Sequence, residues 1–355
     1  MPTSLSPYGA HQPGIAAATP RANRLLSLDL QRGVTREALG RLMRLWTGTI
    51  EAVTQGRAAP GDTARDLAQA NTDLSIIVGW GPRTLARAGL DRPACLAPVP
   101  PFRHDRLQEH WSGGDLVLLV GAADDTTVSH VVRRLVKDAA PFATLRWDQA
   151  GSWRGLDRDQ APTTGRNLFG QVDGTANPRP DDPMFDSTVW VKRPDWLAGG
   201  STLVVRRIRM DLDTWDKLTR DEQERSVGRD LSVGAPLGGE RERDQPDFHS
   251  RDEGGRLLIP TNSHVRRSHP SFNGGAQILR RGMNYTAFDP ATRQHESGLI
   301  FCSFQADIDE QFNRIQRSLD ESDQLNTWTT AIGSAEFAIL PGFEPGGWLG
   351  EHALT

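Results

Sequence analysis

Two hydrophobic rhythms alternate along the chain. Short, dense apolar runs occur at 23–31 (NRLLSLDLQ), 74–79 (LSIIVG), 115–121 (DLVLLVG) and 142–147 (FATLRW), the pattern of buried or half-buried strands. Between the first two, Leu39, Leu42, Met43, Trp46, Ile50 and Val53 repeat at helical spacing. Thr35 stands before them as an N-cap, so a helix of roughly 20 residues is predicted there. Val128, Val131, Val132 and Leu135 predict a second helix over 126–139. The order is β-α-β-β-α-β, the ferredoxin-like arrangement.

The same order returns further on. STLVVRRIRMDL (201–212) predicts a strand running into a helix around Thr214–Lys217. QILRRGMNY (277–285) and GLIFCSF (298–304) predict two strands separated by turn-rich DPATRQHESG. DIDEQFNRIQRSL (307–319) repeats at helical period, and AEFAIL (335–340) closes the set. The expected fold class is therefore α+β, with tandem ferredoxin-like domains whose antiparallel sheets resemble a dimeric α+β barrel. The boundaries read as an N-terminal extension over 1–22, a first domain over 23–150, and a second over 151–355. The second half holds two long Gly-, Pro- and Asp-rich insertions, 149–198 and 232–276. Loops of that length in a compact protein are usually functional or disordered.

Composition narrows the function classes. With 355 residues there is material for two cores. The net charge of -4 sets 41 basic against 45 acidic side chains, and the pI is about 6.2. That balance gives no reason to expect a nucleic-acid partner. No run reaches the roughly 18 apolar residues of a membrane span. Cys95 and Cys302 cannot build a disulfide framework or a cysteine cluster, and Cys302, within GLIFCSF, reads as a buried free thiol. The first 20 residues carry neither a basic region nor an apolar core, so no export signal is expected in them. The compartment stays open between the cell surface or exterior, with a signal already removed, and the cytoplasm.

Two polar segments lie in or beside the insertions. In Arg166–Pro178 (RNLFGQVDGTANP), Asp173-Gly174 and Asn177-Pro178 are turn signals, and an Asp capping its own turn is the plainest reading. The functional reading is a carboxylate presented into a cavity from a glycine loop that a flat ligand can approach closely. In Ile259–Pro270 (IPTNSHVRRSHP), His264 precedes Arg266 and Arg267. None of the nine histidines is spaced for a multi-histidine metal site. A lone histidine holds iron only when a macrocycle supplies the other ligands, and neighbouring arginines suit carboxylates. A loop histidine near surface arginines fits the same residues.

Three segments in order, FGQVDGTANP, TNSHVRRSHP and ILRRGMNY, resemble the dye-decolourising peroxidase family, in the branch with exported bacterial and deferrochelatase-like members. YGAHQPGIAAATP, SFQADIDEQFNRIQRSL and IGSAEFAILPGF extend the likeness over nearly the whole chain. The resemblance implies one b-type haem per chain, hydrogen peroxide and a reducing co-substrate as partners, and a homodimer. It implies His264 as the iron ligand, with Asp173 and Arg280 on the peroxide side. Strand alternation lets only one of Arg280 and Arg281 face the pocket, and the family's strand favours Arg280. Gly170, Gln171, Val172, Gly174 and Thr175 would line the haem, Arg266 and Arg267 would meet its propionates, and Phe301 would form a distal wall. For Phe304, ordinary core packing is at least as good a reading. The family also places an acid against the proximal histidine, expected near Thr327, with Asp307 and Asp323 as alternatives. Trp215, Trp328 and Tyr285 are candidates for carrying electrons from bulky donors.

The activity implied is peroxide-driven oxidation of dyes, phenols or other one-electron donors. The alternatives are a deferrochelatase-like protein, a haem- or copper-trafficking partner, which Met283 and surface histidines neither support nor exclude, and a haem-free binding module of the same fold.

Overall fold

The computed structural model describes residues 5–69, 73–155, 163–290 and 293–355. Residues 1–4 of the extension, 156–162 of the first insertion and 291–292 of the turn after 289 lie outside the described residues.

Among the described residues eight strands form: β1 (Ala22–Leu30), β2 (Ser75–Trp80), β3 (Leu116–Ala122), β4 (Ala143–Ser152), β5 (Ser201–Met210), β6 (Leu279–Asp289), β7 (Gln294–Gln305) and β8 (Thr329–Ile339). All pairings are antiparallel and close a barrel in the order β1-β3-β2-β8-β5-β7-β6-β4. Each half repeats one spatial pattern, β4-β1-β3-β2 and β8-β5-β7-β6. The seams are short: Gly79 and Trp80 pair with Ile339 and Ala338, and Ser152 pairs with Asn284.

Side-chain alternation sorts these strands into two faces. Leu25, Ile77, Val117, Leu119, Leu203, Val205, Met283, Ile300, Cys302, Phe304 and Phe337 fill the barrel interior. Leu26, Leu28, Ile76, Val78, Leu116, Leu118 and Val120 face outward, onto the helices 36–54 and 125–139. Both faces of the first sheet are thus covered, which is why VLLV reads as a continuous apolar run rather than as an alternation. Thr35 caps the first helix by accepting from the Ala38 N–H, and Asp124 caps the second by accepting from Thr127. Trp46 ties the two helices by donating its indole N–H to the Leu135 carbonyl at 2.9 Å.

The elements depart from expectation in several places. The β6–β7 hairpin runs beyond the apolar core of both strands, with Thr286 opposite Ser297 and Phe288 opposite His295. β8 begins six residues before AEFAIL, in small and polar TTAIGS. The predicted 307–319 helix opens as a π turn over Ile308–Asn313 before continuing as Arg314–Ser322. The helix expected at 214–217 is a single turn, Leu212–Trp215. A further helix, Arg220–Val227, carries a capping box of Thr219 and Glu222, a signal present in the sequence as T-x-x-E.

The outer face of the second half is covered differently. Alternation places Arg280, Gly282, Leu299, Phe301 and Ser303 outward on β6 and β7, opposite in phase to the buried Met283, Ile300, Cys302 and Phe304. The insertions fold over this face, and Trp153, Phe169, Met210, Trp215, Val227, Leu299, Leu325 and Trp328 form a third apolar cluster there. The candidate site is built between that cover and β6–β7.

Candidate active site

Local hydrogen bonds shape the 166–178 loop before any long-range contact does. Asn167, not Asp173, acts as the turn cap: its Oδ1 accepts from the N–H groups of Phe169 (3.0 Å) and Gln171 (3.3 Å). Gly170 has φ +79° and Gly174 φ +118°, conformations that favour glycine. An antiparallel bridge joins Arg166 to Val172, and the Asp173 N–H donates to the Gly165 carbonyl at 2.9 Å. The carboxylate is left for tertiary work. Its Oδ1 accepts from Arg280 Nη1 at 3.0 Å and its Oδ2 from Asn167 Nδ2 at 3.3 Å.

Arg280 is placed from both sides. Asn177 accepts from its N–H at 3.0 Å and donates to its carbonyl at 2.6 Å, continuing the strand's edge with a side chain. Arg281 points the other way, into the barrel, where Nη2 donates to the Gly14 and Ala17 carbonyls. Burial pushes its guanidinium down to about 10. The ion pair on the outer face therefore belongs to Arg280.

Gly165 is the tight point of this construction. A Cβ added there would lie 2.2 Å from the Trp153 ring, and a fused aromatic cannot fold away. Gly165→Ala is expected to destabilise the protein by about 1–3 kcal/mol through overpacking, read as a lower thermal midpoint. It should also slow peroxide turnover, because the Asp173 N–H hangs on the Gly165 carbonyl. An unchanged midpoint and rate would show that the loop absorbs the methyl group.

On the facing side, His264 opens a short helix, His264–Ser268. Its Nδ1 lies 2.6 Å from Asp323 Oδ2, an almost wholly buried carboxylate with 4% of its side chain accessible. Asp323 is itself fixed, because Oδ1 accepts from the Leu325 N–H at 3.0 Å. The Gln324 N–H also donates to the Asn262 carbonyl, joining the two segments. With Nδ1 engaged, Nε2 makes no hydrogen bond among the described residues, although 31% of the side chain stays accessible. Burial alone would lower the imidazole's proton affinity, but the charge and hydrogen bond of Asp323 outweigh it and raise His264 above the ordinary histidine range. The charges of Arg280 and Asp173 act on His264 as well, and one stretch of chain joins the two segments, with Gly228 against Ser263 and Gly234 against Val172.

Of the positions expected to hold an acid against this histidine, Asp323 is the one that meets it: Thr327 is exposed at the end of a 3₁₀ turn, and Asp307 caps the 308–313 turn. Other residues fall as follows. Gln171 is buried and accepts from Asn167, and its Nε2 has no protein partner among the described residues. Val172 packs against Gly234, and Thr175 donates to Glu242 at 2.8 Å. Phe301 stands across from Gly282 on the same outer face as Arg280, whereas Phe304 is barrel core. Arg266 donates to the Phe248 carbonyl and stacks over Phe248 and Phe272. Arg267 turns away to the Ser318 carbonyl and Glu321. Trp215, Trp328, Tyr285 and Met283 are all buried. Cys302 is buried and its thiol is pushed up to about 12.

The donor set fits a haem. No group of three or more His, Cys, Asp and Glu able to hold a bare metal ion occurs among the described residues. A metal held at His264 Nε2 therefore needs a macrocycle to complete its ligands. Among the described residues no helix is long and apolar enough to cross a membrane.

Comparison with known proteins points the same way. Residues 12–153 match the family described as Dyp-type peroxidase, N-terminal, and residues 164–344 match Dyp-type peroxidase, C-terminal. The chain is 39% identical to the dye-decolorizing peroxidase of Thermobifida fusca, over 97% of this chain and 84% of that protein. It is 32% identical to the deferrochelatase of Escherichia coli, over 94% and 83% respectively. Among solved structures, a DyP-type peroxidase from Cellulomonas bogoriensis superposes with a TM-score of 0.94 at 42% identity, covering 99% of this chain and 98% of that one. Ferric DtpA from Streptomyces lividans superposes with a TM-score of 0.95 at 36% identity, covering 99% and 97%.

Proposed function

Because the chain belongs to the Dyp-type peroxidase family and is a haem-dependent peroxidase, we propose that it holds one b-type haem on His264 and handles hydrogen peroxide with Asp173 and Arg280. One observation supports this assignment: a histidine backed by Asp323, with no hydrogen bond at Nε2 among the described residues, lies on a segment joined through 228–234 to the loop that carries the Asp173–Arg280 pair.

Bound haem supplies the iron at which peroxide is cleaved. Asp173 moves the proton between the two peroxide oxygens, through Oδ2, the oxygen held only by the longer bond from Asn167. Arg280 cannot act as a base at ordinary pH. It stabilises the negative charge that develops as the O–O bond breaks. Asn177 and Asn167 orient these two groups, and Asp323 fixes the plane and tautomer of His264. The tandem ferredoxin-like halves, with bounds near 23–150 and 151–355, divide the work: the first contributes a closed core, and the second carries the haem. Dyes, phenols and other one-electron donors are the proposed reductants.

The test is titration with haem followed by peroxide and an anthraquinone dye. One Soret-absorbing haem per chain and peroxide-dependent bleaching are expected. Iron release from an intact porphyrin without bleaching would favour the deferrochelatase reading.

Asp323→Asn is expected to keep haem but to weaken the electron donation of His264. The iron's reduction potential should rise, and peroxide turnover should slow by about 10- to 100-fold. Spectroelectrochemical titration reads the first effect directly, and a potential equal to that of the wild type would remove Asp323 from this role.

A further inference from the structure

Arg229 sits at a junction. The residue before it, Gly228, approaches the proximal segment so closely that a Cβ there would lie 3.1 Å from Ser263 Oγ, next to His264. Its guanidinium Nη1 donates to the Gly234 and Glu242 carbonyls at 2.6 and 2.8 Å. Both of those residues lean on the distal loop. Gly234 abuts Val172, and the Glu242 carboxylate accepts from Thr175 and Thr164. The 228–242 segment thus touches the residue before the iron ligand on one side and the residues flanking Asp173 on the other. A plate-shaped ligand lying between His264 and Asp173 presents its rim to such a segment.

The charge at this rim is unanswered. Arg229 has no carboxylate within 4 Å among the described residues, and Glu242 directs its carboxylate to the two threonines. Burial lowers the guanidinium's pKa, Glu242 partly restores it, and the like charge of Arg280 lowers it further. The same cation depresses His269 beyond the effect of burial. A partly buried cation with only carbonyl partners is costly unless an anion joins it. Of the two arginines that follow His264, Arg267 already meets a carboxylate in Glu321, and Arg266 is held against the Phe248 and Phe272 rings with its Nη1 on the Phe248 carbonyl.

We propose that Arg229, and not Arg266 or Arg267, is the arginine that receives a haem propionate. The inference rests on the haem reading above. It makes Arg229 the residue that selects a porphyrin bearing free carboxylates, through charge-assisted hydrogen bonds from the unused side of the guanidinium.

Haem and haem dimethyl ester, titrated into the full chain freed of haem and read at the Soret band, separate the two ideas. The wild type is expected to prefer the free acid by about tenfold or more, since a hydrogen bond to a charged group is worth at least that. Arg229→Leu should lose most of this preference while binding the ester as the wild type does, which also reports an intact fold. Arg229→Lys, which keeps the charge without the fork, should retain part of it. Arg266→Leu and Arg267→Leu should keep it all. A full preference in Arg229→Leu, or its loss in either of the other leucine variants, overturns the inference while leaving the haem reading intact. Failure of the wild type to bind either porphyrin overturns both.

Discussion

Replacing Arg280 by leucine is expected to slow the reaction of the haem-loaded protein with stoichiometric hydrogen peroxide by about 10²–10³-fold, the usual cost of removing one preorganised donor to a developing anion. Asp173→Ala should fall by about 10²–10⁴-fold, the range of general acid-base help. The two losses differ in kind. Formate, small enough to enter the space vacated by a carboxylate, should partly restore the aspartate variant by carrying the proton. It should do nothing for Arg280→Leu, where the missing element is a fixed positive charge. Stopped-flow absorbance from about pH 4 to 8 measures both variants. Wild-type rates in Asp173→Ala would reduce that residue to an anchor for Arg280. Near-normal rates in Arg280→Leu would move the electrostatic role to another cation, with Arg229 first to test.

The second large effect is at His264. Its helix lies outside the barrel core, and among the described residues its side chain bonds only Asp323, so His264→Ala should fold with little change in thermal midpoint. It should nonetheless purify with little haem, or with haem lacking a protein ligand on that side. Added imidazole should then restore a histidine-like spectrum, because Asp323 remains in place to accept the free ring's N–H. Full haem content with an unaltered spectrum would put the ligand elsewhere, and His269, five residues on, is the next candidate.

Those residues differ in how far the sequence exposed them. The barrel strands were legible because burial writes a period into them: LLSLDL and VLLVG carry it, and the polar arms of the β6–β7 hairpin, with no face to bury, do not. Alternation also separates Arg280 from Arg281 once Met283, Ile300 and Cys302 are known to face inward, and it takes Phe304 into the core. Asp323 lies 59 positions from His264. No local pattern joins them, and a search for an acid near Thr327 lands four residues away, on the exposed end of the turn that Asp323 caps. Asp323 is an alternative by proximity in sequence alone, with nothing to prefer it to Asp307. Arg229 and Glu242 had no signal at all. Their importance comes from tertiary approach, through glycines that let 228–234 press against Ser263 and Val172.

Iron is expected to sit between His264 on one side and Asp173 with Arg280 on the other. Anomalous diffraction at the iron edge from crystals of the haem-loaded protein tests it most directly. One iron peak per chain is expected within bonding distance of His264 Nε2, with Asp173 and Arg280 across the porphyrin plane and no protein atom bound to the iron from their side. An iron peak bonded to another residue, or Asp173 and Arg280 lying on the same face of the porphyrin as His264, would contradict it.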